Sequence, residues 1–207
     1  MRNADLQSVR SASEYQGQRC SALLRLYVPK SVWTPQGGFK DQLLSDVAKI
    51  KVGPQTEWAT FVGPVIGRAA YDRILGYISK VKEQGGEVLI GGIGDDSTGY
   101  YIQPTVILTK DPQSVTMAEI FGLVLTVYVY PDEDFGYTVD WIDRTGRYAL
   151  TGSMYVLSLS GPQGLFFLPT HHSFSTDRHA LNASSRLRHA AGDIYEVHRR
   201  RCWPTAV

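Results

Sequence analysis

Apolar residues recur at helical spacing in successive stretches of the chain. From Asp5 to about Gln16, Leu6, Val9 and Ala12 fall on one face. From Phe39 to Lys51, after the Gly37-Gly38 break, the face carries Leu43, Leu44, Val47 and Ile50. From Arg68 to Gln84 it carries Tyr71, Ile74, Leu75, Ile78 and Val81, and Gly85-Gly86 stops the pattern. A further helix is expected around Thr138 to Asp143. Strand-like segments lie between and after these: Ser21 to Val28 ending at Pro29, Val88 to Ile90, Tyr101 to Leu108, Leu123 to Tyr130, and one near Leu150 to Leu157. Strands alternating with helices predict an α/β fold, an open twisted sheet with flanking helices.

The pattern fails beyond residue 157. Gly161-Pro162-Gln163-Gly164 leads into Leu165-Phe166-Phe167-Leu168-Pro169 and then a Ser/His/Arg stretch in which no regular element is expected. Charge shifts there as well. His171, His172, His179, His189 and His198 are all the histidines, Lys110 is the last lysine, and the arginines from Arg178 to Arg201 are opposed only by Asp177, Asp193 and Glu196. Residues 1–157 therefore read as folded protein and 158–207 as an irregular tail.

Composition narrows the class. The 207 residues are 43% hydrophobic, 20% charged and 11% aromatic, an ordinary globular mixture that excludes fibrous or disordered classes. A chain of this size buries roughly 70% of its unfolded surface, enough for one core. A net charge of +1 gives no reason to expect nucleic acid or an anionic membrane as partner. No apolar run reaches the roughly 18 residues of a membrane span. Met1-Arg2-Asn3-Ala4-Asp5-Leu6 lacks the apolar core of a secretory signal. Cys20 and Cys202 make a poor disulfide framework, so a reducing compartment is expected.

Cys20 sits at a helix-to-strand junction, in Glu14-Tyr15-Gln16-Gly17-Gln18-Arg19-Cys20-Ser21-Ala22. Gly17 permits a tight backbone there, and Arg19 can favour the thiolate electrostatically. A thiolate attacks carbonyl carbon readily, which suits covalent catalysis. On these residues alone a small buried hydrophobe is the simpler reading. No histidine of the folded body is available to activate Cys20, which counts against a Cys–His protease.

The segment Gln16-Gly17-Gln18-Arg19-Cys20-Ser21-Ala22, followed by Arg25-Leu26-Tyr27-Val28-Pro29, resembles the nucleophile segment of the aldehyde dehydrogenase superfamily. Farther on, Glu119-Ile120-Phe121-Gly122 leads into a hydrophobic strand and resembles that family's cofactor motif. Gly99-Tyr100-Tyr101-Ile102-Gln103-Pro104 and Val127-Tyr128-Val129-Tyr130-Pro131-Asp132 are similar to its proline-catabolic, glutamate-semialdehyde branch. The resemblance covers residues 5–156 and resumes at Arg188-His189-Ala190-Ala191-Gly192-Asp193-Ile194-Tyr195.

The resemblance implies a catalytic-domain-like fold and NAD-dependent oxidation of an aldehyde, L-glutamate γ-semialdehyde, to its acid. It implies Cys20 as nucleophile, its own N–H as an oxyanion donor, and Ser21 beside it at the substrate's polar end. Glu119 would bind the nicotinamide ribose hydroxyls, and Phe121 would pack on the nicotinamide ring. Without the resemblance, Glu119 reads as a solvated helix-end charge and Phe121 as a core aromatic. It further implies a mitochondrial matrix location, homo-oligomeric relatives and no metal.

The chain departs from the family at several points. Leu123 stands where proline usually follows Ile-Phe-Gly, which frees a backbone dihedral and implies a looser cofactor loop. Ala118 stands where glutamate is common. The cofactor-binding half, an asparagine oxyanion donor and a glutamate base are expected upstream of this chain, so these residues alone are expected to be impaired. An inactive fragment or interaction module is the alternative. After Tyr195 the residues Glu196 to Val207 can be spelled by a shifted reading of the family's own string, so the tail is read as misread or disordered. The remaining signals are weak. Gly91-Gly92-Ile93-Gly94-Asp95-Asp96 reads as a turn rather than a phosphate loop, and His171-His172 with Cys202 fits no zinc spacing.

Overall fold

The computed structural model describes residues 2–111, 113–114, 118–145, 152–156, 164–169 and 195–196. Helices α1 (Arg2–Ser13), α3 (Phe39–Ala48), α4 (Arg68–Glu83) and α5 (Phe135–Thr145) match the expected ones, and a single turn, α2 (Lys30–Trp33), joins them. The strands are β1 (Leu23–Pro29), β2 (Glu87–Ile90), β3 (Gly94–Asp95), β4 (Tyr101–Ile102), β5 (Thr105–Thr109), β6 (Val124–Tyr130), β7 (Ser153–Val156), β8 (Gly164–Pro169) and β9 (Tyr195–Glu196).

Among the described residues, seven strands form one sheet in the order β2-β5-β6-β1-β8-β7-β9, and β3 pairs with β4 separately. The centre is parallel: β6 lies between β5 and β1, with Ile107 opposite Thr126 and Arg25 opposite Thr126 across the two ladders. β2 and β8 flank this centre antiparallel. Every residue of β1 is buried, as expected of a parallel strand covered on both faces.

Side chains alternate between two cores. Val106, Leu125 and Val127 pack with Val9, Ala12, Leu43 and Val47 of α1 and α3. Ile107 and Val124 pack with Tyr71, Ile74, Ile78 and Val81 of α4 on the opposite face. The expected α/β sheet with flanking helices is thus what the chain forms. Helix α4 ends in a Schellman motif: Gly86 N–H donates to Val81 O (2.9 Å) and Gly85 N–H to Lys82 O (3.3 Å), with Gly85 at φ +76°.

Several elements differ from expectation. The strand expected over Tyr101 to Leu108 breaks at Gln103-Pro104, because Pro104 has no N–H for a ladder; β4 turns to β3 and β5 to β6. The apolar burst after Gly164, where no regular element is expected, lies as β8 against β1. A short apolar run bounded by Gly and Pro is compatible with a core strand even without alternation. Tyr195–Glu196, also in the expected tail, pairs as β9 with β7, and the remaining tail residues, including His171, His172 and Cys202, lie outside the described residues, as does Leu150. Among the described residues no helix is long and apolar enough to cross a membrane.

Candidate active site

The chain passes from α1 into β1 through a tight reversal. A 3-10 turn spans Glu14–Gly17, with Tyr15, Gln16 and Gly17 all at positive φ (51°, 59° and 64°). Turning the Gln16 amide so that its nitrogen donates to Tyr15 O (3.0 Å) lets its oxygen accept from Gly63 N–H (2.7 Å) and Gln55 Nε2 (3.1 Å). Gln18 Oε1 accepts from Ile66 N–H (3.1 Å). These bonds fasten the reversal to the loop before α4. A β-turn follows, closed by Ala22 N–H donating to Arg19 O (3.1 Å), with Cys20 and Ser21 at its two central positions. Cys20 is exposed, so it is not the buried hydrophobe that its bare residue type suggests. Ser21 is half-buried beside it.

The expected electrostatic help from Arg19 is weaker than its position in the sequence implies. Its guanidinium pairs with Glu14 Oε2 (3.3 Å) and donates to Ser11 O (3.3 Å). A cation already paired with a carboxylate contributes less field to a neighbouring thiol.

The second motif comes up beside this turn. Gly17 approaches the backbone of Gly122 so closely that a Cβ on Gly17 would lie 2.6 Å from Gly122 C and 2.9 Å from Ala12 O. Gly122 is in turn seated on α4, where a Cβ would lie 2.7 Å from Ile74 Cγ1. Two glycines thus let two loops and a helix meet. A crevice of about 10 Å3, room for roughly one water, is lined by Gly17, Arg19, Ala22, Leu23, Leu24, Phe121 and Gly122. Cys20, Ser21 and Glu119 are not among its lining residues.

Phe121 is 37% exposed, where its residue type alone suggests a core position. It has φ +53°, uncommon for a bulky residue. The helix α4 residue Arg73 donates to the carbonyl of Ile120 and to that of Phe121 (3.4 Å). Glu119 precedes them, half-buried in irregular chain and so not a helix-end charge. Its charge reaches Arg25 of β1, a guanidinium 1% exposed. Burial pulls Arg25 below the ordinary arginine range, with the Tyr27 hydroxyl and Glu119 opposing that shift. Arg25 Nε and Nη1 are buried without a hydrogen-bond partner among the described residues. Leu123, at the position where proline was expected, is buried, and its carbonyl accepts from Thr105 N–H (2.9 Å).

The sequence reading chose Cys20 and Ser21 just before β1 and Glu119 and Phe121 just before β6, and these two strands are neighbours in the middle of the sheet. It missed Arg73, Gln16 and Gln18. Arg73 lies on the polar flank of an amphipathic helix, and the two glutamines lie in a turn, where residue type alone carries no sign of a partner. No group of three or more His, Cys, Asp or Glu side chains that could hold a metal occurs among the described residues.

An α/β sheet carrying an exposed cysteine at the entry to β1 and an aromatic loop at the entry to β6 has close counterparts. Residues 2–159 match the Aldehyde dehydrogenase family, and the chain belongs to that family. The Delta-1-pyrroline-5-carboxylate dehydrogenase of Agaricus bisporus is 55% identical over 197 residues, covering 94% of this chain and 32% of that protein. The mitochondrial Delta-1-pyrroline-5-carboxylate dehydrogenase of Homo sapiens is 39% identical over 203 residues, again covering 94% and 32%. The chain thus spans about a third of the length of the curated relatives it matches. Among solved structures, the Delta-pyrroline-5-carboxylate dehydrogenase from Mycobacterium tuberculosis, bound with NAD and cobalamin, superposes with a TM-score of 0.65 at 38% identity, over 71% of this chain and 27% of that one.

Proposed function

We propose that this chain carries the nucleophile and part of the nicotinamide site of an NAD-dependent aldehyde dehydrogenase whose substrate is L-glutamate γ-semialdehyde. The relatives named above support that substrate, and those whose names say mitochondrial support a mitochondrial location. The observation that carries the reading is the close approach of Gly17 to Gly122, which fastens the turn bearing Cys20 to the loop bearing Phe121.

In this reading the Cys20 sulfur attacks the aldehyde carbon, a C–S bond forms, and the carbonyl oxygen takes a proton to give a thiohemiacetal. The Cys20 N–H, at the tip of an exposed turn, donates to that oxygen while it is negative. Ser21 offers a hydroxyl to the polar end of the substrate. Loss of a hydride from carbon together with the hydroxyl proton, which passes to solvent, gives a thioester, which water cleaves to the acid and the free thiol. Bound NAD supplies the chemistry of a hydride acceptor. The residues suit such a ligand: Glu119 is a half-buried carboxylate able to accept two hydroxyl donors, and Phe121 presents an exposed ring held in a fixed, uncommon backbone conformation.

Incubating the purified chain with the semialdehyde and NAD, then measuring NADH and the mass of the peptide containing Cys20, tests the proposal. An acyl adduct confined to Cys20 and absent in Cys20→Ala is the expected result. An adduct that persists in Cys20→Ala would overturn the assignment. NADH formation undiminished in that variant would do the same.

A further inference from the structure

The loop that carries Glu119 and Phe121 holds one residue in a strained conformation. Phe121 sits at φ +53°, a region unfavourable for a non-glycine residue that persists only when its surroundings impose it. Leu123 has no ring to fix its own φ, unlike a proline. Yet the carbonyls on both sides of the strained residue are claimed by one side chain. Arg73 projects from α4 and donates to Ile120 O and Phe121 O. The next residue of the same helix, Ile74, is fully buried and forms the floor under Gly122.

We propose that Arg73 is a positioning residue for the nicotinamide site. A guanidinium is a planar fork of donors with no acceptor. Its two arms fix the orientation of two successive peptide planes, and that pair of planes defines φ and ψ at Phe121. The ring of Phe121 leaves the backbone between the two clamped carbonyls, and Glu119 stands one residue before the first of them, so the placement of both follows from it. Because α4 is anchored in the core by Tyr71, Ile74, Ile78 and Val81, the clamp ties the cofactor loop to a helix packed against the sheet. Lysine at this position could reach one carbonyl but could not set both planes. Arg73 touches neither substrate nor reacting atoms, and its role rests on the cofactor reading given above.

Amide hydrogen exchange and NAD titration of the purified chain test it, with Arg73→Gln and Arg73→Lys compared against the wild type. Two charge-assisted hydrogen bonds lost should speed exchange over residues 118–123 by about tenfold or more in Arg73→Gln, with Arg73→Lys intermediate and the protected amides of α4 and β6 unchanged. The dissociation constant for NAD should rise by a similar factor and in the same order. Exchange over 118–123 that stays at the wild-type rate overturns the proposal. Exchange that accelerates equally throughout α4 and β6 also overturns it, since that reports general loosening. A loosened loop with unaltered NAD affinity refutes the positioning role. If the wild type itself binds no NAD, the cofactor reading fails separately, and the exchange data alone still decide whether Arg73 holds the loop.

Discussion

Gly17→Ala is the perturbation that most directly examines the junction between the two motifs. At φ +64° an alanine pays about 1–2 kcal/mol for the left-handed conformation. Its methyl group would also collide with the Gly122 carbonyl and stand 2.9 Å from Ala12 O. Both obstacles are backbone, so no side-chain rotation relieves them, and overpacking of this kind costs about 1–3 kcal/mol more. The sum, about 3.5 kcal/mol at its middle, corresponds to a melting temperature lower by about 7–14 °C for a chain of this length. Gly76→Ala provides the contrast. Gly76 is exposed within α4 and a Cβ there meets nothing within 4 Å, so it should gain about 0.5–1 kcal/mol from helix propensity. Urea unfolding of the three proteins, together with the rate of Cys20 alkylation, measures both effects. A Gly17→Ala protein within about 0.5 kcal/mol of wild type, with its alkylation rate unaltered, would refute the close packing of the two loops.

Ile74→Ala should cost about 2–5 kcal/mol, because Ile74 is fully buried and supports Gly122 from below; denaturant midpoints would report it, and a cost under about 1 kcal/mol would contradict that packing. Gly91→Ala should also destabilise, since Gly91 lies at φ +80° with a Cβ position 2.8 Å from Thr105 Oγ1, and a variant that melts at the wild-type temperature would count against the turn between β2 and β3. Stability should fall steeply in alkali. Burial raises the hydroxyls of Tyr27 and Tyr130 above the ordinary tyrosine value of 10.0. Above that pH the unfolded chain releases protons that the folded chain retains. The contribution is therefore fully present below pH 10 and lost as pH rises through the folded values. Unfolding midpoints measured across this range should fall less steeply in Tyr130→Phe, and phenolate absorbance that titrates entirely at the ordinary value in the folded protein would sink the argument.

The parts of this fold legible in the sequence are those with a period. In α3 and α4 the apolar face and the glycine stops set the helix limits, and Val81 to Gly86 even fall into the motif that such a stop predicts. The mostly apolar β1, interrupted by Arg25, reads as a core strand, and its whole length is buried. Short or interrupted elements carry no period. Lys30–Trp33 is a single turn, Pro104 divides a run that hydropathy alone treats as continuous, and Gly164–Pro169 is apolar without alternating. The candidate site is legible differently. Cys20, Ser21, Glu119 and Phe121 are single residues, distinguished by a familiar order of neighbours and not by spacing. What the sequence could not supply is exposure and contact: that Cys20 faces solvent, that Arg19 turns back to Glu14, and that Arg73 reaches across to the Phe121 loop.

Strain supplies an independent reason to treat these loops as one unit. Among the described residues, the non-glycine positions with positive φ are Tyr15, Gln16 and Phe121. All three flank the meeting point of Gly17 and Gly122, although the sequence separates the first pair widely from the third. Chain reversals elsewhere use glycine at such angles, as at Gly38, Gly85, Gly91 and Gly92, so the fold has an inexpensive solution available and does not use it here. Two of the three are instead held by specific partners: Gln16 through its amide to Gly63 and Gln55, and Phe121 through Arg73. Strain of this kind is retained where surroundings over-determine the backbone. Its concentration at the two loops matches a demand for side chains in fixed directions, an exposed thiol on one loop and an exposed ring on the other. Releasing one clamp should then disturb the opposite loop as well, since Gly17 and Gly122 leave no space between them for either to move alone.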